Sequence, residues 1–374
     1  MDLKKKRILL LSEGFGAGHT QAAHALAVSL RQLSPNVQTR VLELGSFLHP
    51  TMMPIIFSAY RKTLTSRPSL YAKIYRSQYN KTINRLSALA LHRLFYAQTA
   101  EVIQHLRPDA IVCTHPFPNA VISRLKRSGL DVPLCTVITD YDAHGTWISS
   151  ETNTYLVSTP EVMHKLLLKG VPREKISVTG IPVHPNFWIH HNKDEIRERF
   201  GLKAMPTVLV MGGGWGIVTN TELMEYLTRW RDSVQFIFVT GNNRKAYDKM
   251  KQDPKFIHPN IHVLGFIKEI DQLMEVSDLL LTKPGGLTCT EALAKGLPML
   301  FYQAIPGQEE ENCQYFIENG YAEMLDSYSK ADQWLFKLTN HYEEIAERRE
   351  QFLKMAAQRY PADRCSEAIL KNLG

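Results

Sequence analysis

Short apolar runs alternate with longer amphipathic stretches along the whole 374-residue chain, and this alternation narrows the fold more than any other feature. The runs Arg7–Leu11, Val37–Leu42, Ala110–Thr114, Leu134–Thr139, Thr154–Val157 and Ile176–Val178 read as strands. The segment "PVHPNFWIHHNKDEIRERFGL" then breaks the pattern with Pro182 and Pro185, followed by a charged helix. After it the pattern restarts at Thr207–Met211, Gln235–Thr240, Ile261–Leu264, Leu279–Thr282, Met299–Tyr302 and Ala322–Leu325. Strands that alternate with helices make parallel sheets covered on both faces. The restart predicts two such doubly wound α/β domains, which fits a prior of about 150 residues per domain. The tail from His341 reads as mainly helical, with a break at Pro361.

Both halves open in the same way. "RILLL" runs into "SEGFGAGHTQAA", a strand, three glycines (Gly14, Gly16, Gly18) and a helix that starts with His19. "TVLVMGGGWGI" repeats the device at Gly212–Gly216, ahead of a helix from about Asn220. Glycine permits close backbone approach, and the helix behind it aims free N–H groups at an anion. A Walker loop is excluded, because no glycine is followed by Lys and Ser or Thr in the required spacing. A dinucleotide loop needs G-x-G-x-x-G and a later acid; the first loop is one residue too tight, although Glu43 stands where a ribose acid would. A nucleotide sugar held by two Rossmann-like domains uses both loops.

A third motif is "KPGGLTCTEALAKGLPMLFYQAIPGQEEEN", Lys283 to Asn312. A strand ends at Pro284-Gly285-Gly286, a helix begins near Leu287, and Glu291 falls in its first turn, where a carboxylate can accept from two ribose hydroxyls. Alone, Glu291 would read as a dipole-favoured acid, stabilising by about 0.3–1 kcal/mol. Gln308, Glu309 and Asn312 follow the next strand at its carboxyl end, where open α/β sheets bind ligands.

The charge is unevenly placed. The chain carries a net +7, yet Leu44 to Ala100 contains no Asp or Glu. That stretch holds Arg61, Lys62, Arg67, Lys73, Arg76, Lys81, Arg85 and Arg93, five tyrosines, and the apolar residues Met52, Met53, Ile55, Ile56 and Phe57. Such a surface suits an anionic leaflet, with the apolar residues as a shallow anchor. Interleaved tyrosines would also suit single-stranded bases, but no nucleic-acid motif accompanies them and no nucleic-acid partner is expected. The five cysteines are odd in number and widely spaced, without metal-site or redox spacing, and no run of about 18 apolar residues occurs. A reducing, cytoplasmic setting is expected.

These motifs, in this order, resemble the monogalactosyldiacylglycerol synthase and processive diacylglycerol glucosyltransferase family, glycosyltransferases of family 28 with the GT-B fold. "GFGAGH" is similar to that family's first loop, "TDYDAHGTW" (Thr139 to Trp147) to its T-D-aromatic-x-x-H-x-x-W segment, and "GIPVHPNF" to its G-I-P segment. The resemblance implies two Rossmann-like domains facing across a cleft. Residues 1–186 would bind acceptor and membrane, 187–355 the UDP-sugar, and 356–374 would pack back on the first domain. It implies an inverting transferase with a UDP-sugar donor and no obligatory cofactor or metal. Gly212, Gly213, Gly214, Trp215 and Gly216 would face the diphosphate, Phe266 and Ile267 the uracil, and Glu291 the ribose. Gln308 and Glu309 would face the hexose, with Pro284, Gly285, Gly286 and Thr288 lining the same donor.

The expected acceptor is diacylglycerol or glycosyldiacylglycerol, met at the inner face of the cell membrane by Gly16, Gly18, His144, Met53, Ile56, Phe57, Arg61, Lys62, Arg67 and Lys73. An acceptor hydroxyl needs a base, and a histidine with an unperturbed pKa of about 6.5 suits neutral pH. His19 is the candidate, Asp140 its orienting partner or an acceptor ligand, and His144 the rival base. Glucose is the expected sugar. The alternatives are UDP-galactose with the same lipid, UDP-N-acetylglucosamine with a polyprenyl-lipid acceptor, and a non-catalytic UDP-sugar sensor.

Overall fold

The computed structural model describes residues 5–83, 85–213, 216, 221–359 and 363–373, with the side chains of 65, 85, 88, 308, 358 and 359 also outside the description. The chain divides into two compact units, one formed by Met1–Pro185, Ile305–Glu311 and Tyr360–Gly374, the other by Asn186–Ala304 and Asn312–Arg359.

The first unit holds strands β1 (Lys6–Ser12), β2 (Val37–Glu43), β3 (Ala110–Cys113), β4 (Leu134–Val137), β5 (Thr154–Val157) and β6 (Ile176–Val178). They form one parallel sheet in the order β2-β1-β3-β4-β5-β6. Its helices are α1 (Ala17–Leu33), α2 (Leu44–Leu48), α3 (Met53–Ser66), α4 (Pro68–Gln78), α5 (Arg85–Phe95), α6 (Thr99–Leu106), α7 (Pro116–Arg127) and α8 (Pro160–Leu168). Strand side chains alternate between faces. On one face Ile8 and Leu10 pack with Ala23, Leu26 and Leu30 of α1, and on the other Leu9 and Leu11 pack with Ile103, Val121 and Ile122.

The second unit repeats the plan with β7 (Thr207–Met211), β8 (Gln235–Val239), β9 (Ile261–Leu264), β10 (Leu279–Thr282), β11 (Met299–Phe301) and β12 (Ala322–Met324). These are parallel in the order β12-β11-β10-β7-β8-β9. The remaining helices are α9 (Lys193–Phe200), α10 (Thr221–Leu227), α11 (Arg244–Gln252), α12 (Ile270–Val276), α13 (Gly286–Ala294), α14 (Gln308–Glu318), α15 (Tyr328–Asn340), α16 (Tyr342–Arg359) and α17 (Arg364–Lys371). In the first unit, α17 lays Cys365 and Ile369 into the β1–α1 core, and Ser29 Oγ donates to Asp363 Oδ1 at 2.9 Å. Pro361, where a break was expected, lies outside the described residues.

All twelve expected strands are present. Several end a residue or two early: β4 stops at Val137 rather than Thr139, and β8 at Val239 rather than Thr240. The residues beyond are still β-branched, but they turn into the loops at the carboxyl edge. All five cysteines are buried, and none is in a disulfide among the described residues. Among the described residues, no helix is long and apolar enough to cross a membrane.

The second unit is fastened by buried charge. Lys295, 1% exposed, donates from Nζ to Glu275 Oε2 and to the Ile189 carbonyl, both at 2.6 Å. Arg349 of α16 donates to the Ser277 carbonyl at 2.6 Å and pairs with Asp278 at 3.3 Å. Burial pushes the Glu275 carboxyl up, but Lys295 and then His190 pull it below its ordinary range. Removing one partner of such a pair strands a buried charge, at about 3–5 kcal/mol. Lys295→Met should therefore lower the urea midpoint markedly, and Lys295→Met with Glu275→Leu should recover most of the loss. A double variant no more stable than the single one would show that the pair does not carry the effect.

Candidate functional site

In each sheet a glycine loop sits beside the point where the strand order reverses. In the first sheet β1 has β2 on one side and β3 on the other, so the carboxyl ends of β1 and β3 flank a crevice where α/β sheets hold ligands. Gly16 caps α1, Gly18 lies in its first turn, and His19 is the third helical residue. Gly14 is required by close packing: a Cβ there would lie 2.7 Å from the Phe57 ring.

His19 Nδ1 meets Thr139 Oγ1 at 2.6 Å. His115, at the end of β3, stands edge-on to it with centroids 4.8 Å apart. Burial pulls the His19 pKa down from 6.5 to about 4, although the Thr114 backbone carbonyl pulls the other way. The helix N-terminus also disfavours an imidazolium. The near-neutral pKa expected of this histidine is thus corrected: the ring is uncharged throughout the neutral range.

Asp140 is expected to orient that ring or to bind acceptor; the group that meets His19 Nδ1 is its neighbour Thr139, and burial, with the Asp140 carboxylate adding, raises the Tyr60, Tyr71 and Tyr75 phenols. Asp140 is 7% exposed. The rival base His144 has both ring nitrogens committed. Nδ1 accepts from the Thr146 N–H at 3.2 Å and lies 2.8 Å from its hydroxyl, and Nε2 meets the Tyr75 carbonyl at 3.1 Å. Glu43 accepts from Thr20 at 2.7 Å and is part of the fold rather than a ribose acid.

Met53, expected at the membrane, is buried at 2% exposure, and Ile56 and Phe57 are half-buried. Met53 and Phe57 lie one helical turn apart on the inner face of α3, so Met52 and Ile55 fall on the outer one. Ile55 is 70% exposed, and Leu70, Ile74, Leu86 and Leu94 are exposed with it, as are Arg61, Lys62, Arg67 and Lys73.

In the second unit the crevice lies between the carboxyl ends of β7 and β10. Gly212 and Gly213 follow β7, and Pro284, Gly285 and Gly286 follow β10. Gly216 has φ +57°, and a Cβ would fall 1.5 Å from the Thr240 carbonyl oxygen, so no other residue fits. Gly214 and Trp215 lie outside the described residues. Lys283 stands beside Gly213, a cation next to the glycine loop that the sequence motif contained but whose role it did not mark. Phe266 is exposed and Ile267 half-buried at the end of β9; Thr288 is half-buried in α13.

Helix α13 starts at Gly286, so Glu291 is its sixth residue, in the second turn rather than the first. Burial, with Asp271 adding, raises the Glu291 pKa to about 8. Glu309 is buried, and its Oε2 accepts from the Ile305 N–H at 2.7 Å. The segment Ile305–Glu311 belongs to the first unit: Arg76 pairs with Glu310 and Lys165 with Glu311, both at 2.9 Å, and Gly307 lies against the Tyr75 ring. The side chain of Gln308 lies outside the described residues. Thr139 and His115 escaped the sequence reading because their contact with His19 spans about a hundred residues; the only local signal was His-Pro opening a helix after β3.

Comparison with known proteins gives a consistent result. Residues 19–183 match the model of the monogalactosyldiacylglycerol (MGDG) synthase family, and residues 207–368 that of the glycosyltransferase family 28 C-terminal domain. The chain is 31% identical to the processive diacylglycerol beta-glucosyltransferase of Bacillus licheniformis, over 87% of this chain and 84% of that protein. It is 28% identical to the enzyme of the same name from Staphylococcus carnosus, over 99% of this chain and 94% of that one. Among solved structures it is similar to Anabaena Alr3699/HepE in complex with UDP-glucose, with a TM-score of 0.62, 14% identity, and 98% and 99% of the two chains covered. Two parallel six-stranded sheets with such neighbours make the fold GT-B. The chain belongs to the MGDG synthase and processive diacylglycerol beta-glucosyltransferase family of glycosyltransferases.

Proposed function

We propose that this chain transfers a hexose, glucose in the first instance, from a UDP-sugar to diacylglycerol with inversion at the anomeric carbon. The observation that best supports this is a neutral histidine, held by Thr139 at the carboxyl edge of the first sheet, in a chain whose full-length relatives carry that activity in their names. In the tautomer that donates from Nδ1 to Thr139, Nε2 holds the lone pair. It takes the proton of the acceptor hydroxyl as that oxygen bonds to the anomeric carbon. The bond to UDP breaks on the opposite face, and its electron pair leaves with the diphosphate. Backbone donors of the Gly212–Gly216 loop and Lys283 are suited to the charge that builds there. Glu291 is suited to the ribose, and Glu309 with Gln308 to the hexose.

The acceptor is embedded in a membrane, so the enzyme meets it there. Exposed Ile55, Leu70 and Ile74 beside Arg61, Lys62, Arg67 and Lys73 form a surface suited to anionic lipid on the cytoplasmic face. Each basic residue near such a surface contributes about 1 kcal/mol.

Incubation of the protein and diacylglycerol with UDP-glucose, UDP-galactose and UDP-N-acetylglucosamine, read by mass spectrometry, should show hexosyl-diacylglycerol from UDP-glucose; no product from any donor would defeat the proposal. His19→Ala should lower turnover by about 10²–10⁴-fold. Because the folded His19 pKa is near 4, kcat/KM should show no loss around pH 6.5 and should fall only as pH approaches the folded value. A His19→Ala enzyme within a few-fold of the parent would remove it from the base role. The protein should sediment with vesicles containing phosphatidylglycerol and not with neutral ones, and high salt should release it. Arg61→Gln, Lys62→Gln, Arg67→Gln and Lys73→Gln together should do the same; equal, salt-insensitive binding to both vesicle types would sink the electrostatic part.

A further inference from the structure

Helix α14 begins in one unit and continues in the other. Its first residues, with the loop before them, form the segment Ile305–Glu311 and count with the first unit, whereas Asn312 and the residues after it count with the second. The segment carries Gln308 and Glu309, the two residues suited to the donor hexose. Whatever seats the segment therefore aims them.

Three contacts seat it, all from the first unit. Gly307, with φ +102°, lies so close to the Tyr75 ring that a Cβ would meet it at 2.9 Å. Arg76 donates to both carboxylate oxygens of Glu310, at 2.9 and 3.1 Å, but both side chains are exposed and water screens such a pair. Lys165 of α8 makes the third contact. Its Nζ donates to Glu311 Oε2 at 2.9 Å and to Asp142 Oδ1 at 2.6 Å.

Lys165 differs from Arg76 in what stands behind it. Asp142 is 2% exposed, and its Oδ1 also accepts from the Tyr79 hydroxyl at 2.7 Å. A buried carboxylate needs its cation, so Asp142 fixes the ammonium at the place where Glu311 meets it. Burial alone would lower the Lys165 pKa; Asp142 first and Glu311 after it hold it above the ordinary lysine range. One turn further, Lys169 donates to Asn80 Oδ1 at 2.6 Å and to the Tyr79 carbonyl at 3.2 Å. The end of α8 thus gathers the end of the acid-free excursion, the loop after β4 and the start of α14. Glu311 lies within one helical turn of Gln308 and Glu309, so a shift at Glu311 moves the backbone from which both project. Glu309 also accepts from the Ile305 N–H at 2.7 Å, which couples its carboxylate to the same loop.

We propose that Lys165 is a positioning residue for recognition of the donor sugar: it holds Glu311, and through Glu311 the turn that presents Gln308 and Glu309 to the hexose. The proposal rests on the reading of that turn as the hexose-facing part of a UDP-sugar transferase, and it makes the fit of the donor sugar depend on a side chain of the first unit. The effect falls on the hexose and not on UDP, whose ribose and diphosphate are left to Glu291 and the Gly212–Gly216 loop.

Calorimetry on the full chain, with UDP-glucose and with UDP, separates the two parts of the donor. Glu311→Gln leaves the Lys165–Asp142 pair intact, so it tests the tie without stranding a buried charge. It should weaken UDP-glucose about tenfold, while UDP changes by less than about twofold. Lys165→Met should do the same, and Lys165→Arg, which keeps the charge, should retain most of the parent affinity. Lys165→Met with Glu311→Gln should lose no more than either alone, because the two side chains act as one unit. Equal losses for UDP and UDP-glucose, no loss with Glu311→Gln, additive losses in the double variant, or a Lys165→Arg protein no better than Lys165→Met would overturn the positioning role. Gln308→Ala separates this from failure of the reading beneath it. If Gln308→Ala weakens UDP-glucose and Glu311→Gln does not, the tie alone is wrong. If neither weakens it, or the parent does not bind UDP-glucose, the sugar-facing reading of the turn falls as well.

Discussion

Glu13 joins parts of the first unit that lie far apart in the sequence. It is the last residue before the first glycine loop and is fully buried. Its Oε1 accepts from the Gly45 N–H and from the Tyr96 hydroxyl, both at 2.7 Å. Gly45 lies in α2, where the acid-free excursion leaves the sheet, and Tyr96 follows α5, where it returns. One carboxyl oxygen therefore ties both roots of that excursion to the loop that carries His19. A buried carboxylate is tolerated only with such donors, and the second oxygen has none. The cost is visible in the Glu13 pKa, which burial raises to about 7.

Further along, the excursion is tied to the rest of the unit by the Gly145 N–H on the Tyr79 carbonyl at 2.7 Å, by Lys169 on Asn80 at 2.6 Å and by Arg76 on Glu310 at 2.9 Å. Its helices are short, and their outward faces carry large apolar and basic side chains that no sheet covers. Met53 and Phe57 turn inward to Gly45 and Gly14, while Met52 and Ile55 turn outward. A single amphipathic helix thus serves packing with one stripe and the surface with the other.

Most of the architecture was legible because strands buried on both faces must be apolar runs, and the glycine loops mark where each sheet reverses. Strand ends were less legible, since Thr114, Thr139 and Thr240 are as β-prone as the residues before them and leave the ladder only because loops begin there. Of the residues proposed for the site, His19, Glu291 and the Gly216 loop were marked by local pattern. Thr139 facing His19 was not, because the pairing spans 120 residues. Composition placed Met53 among surface residues, yet helix phase buries it. The grouping of Ile305–Glu311 with the first unit was likewise illegible, since it follows from contacts of Glu310 and Glu311 with Arg76 and Lys165.

Burial acts in opposite directions on the two ends of the first loop. The folded pKa of His19 lies below its unfolded value, so its contribution to stability rises with pH between about 4 and 6.5. That of Glu13 lies above its unfolded value, so its contribution falls with pH between about 4.5 and 7. The windows overlap almost completely and the signs are opposed. Between those folded values both groups are neutral in the loop, and the pH dependence comes from the unfolded chain, where the two titrations act on stability with opposite sign. Two buried groups of opposite type, six residues apart, thus offset one another where either alone would tilt the stability of the loop with pH.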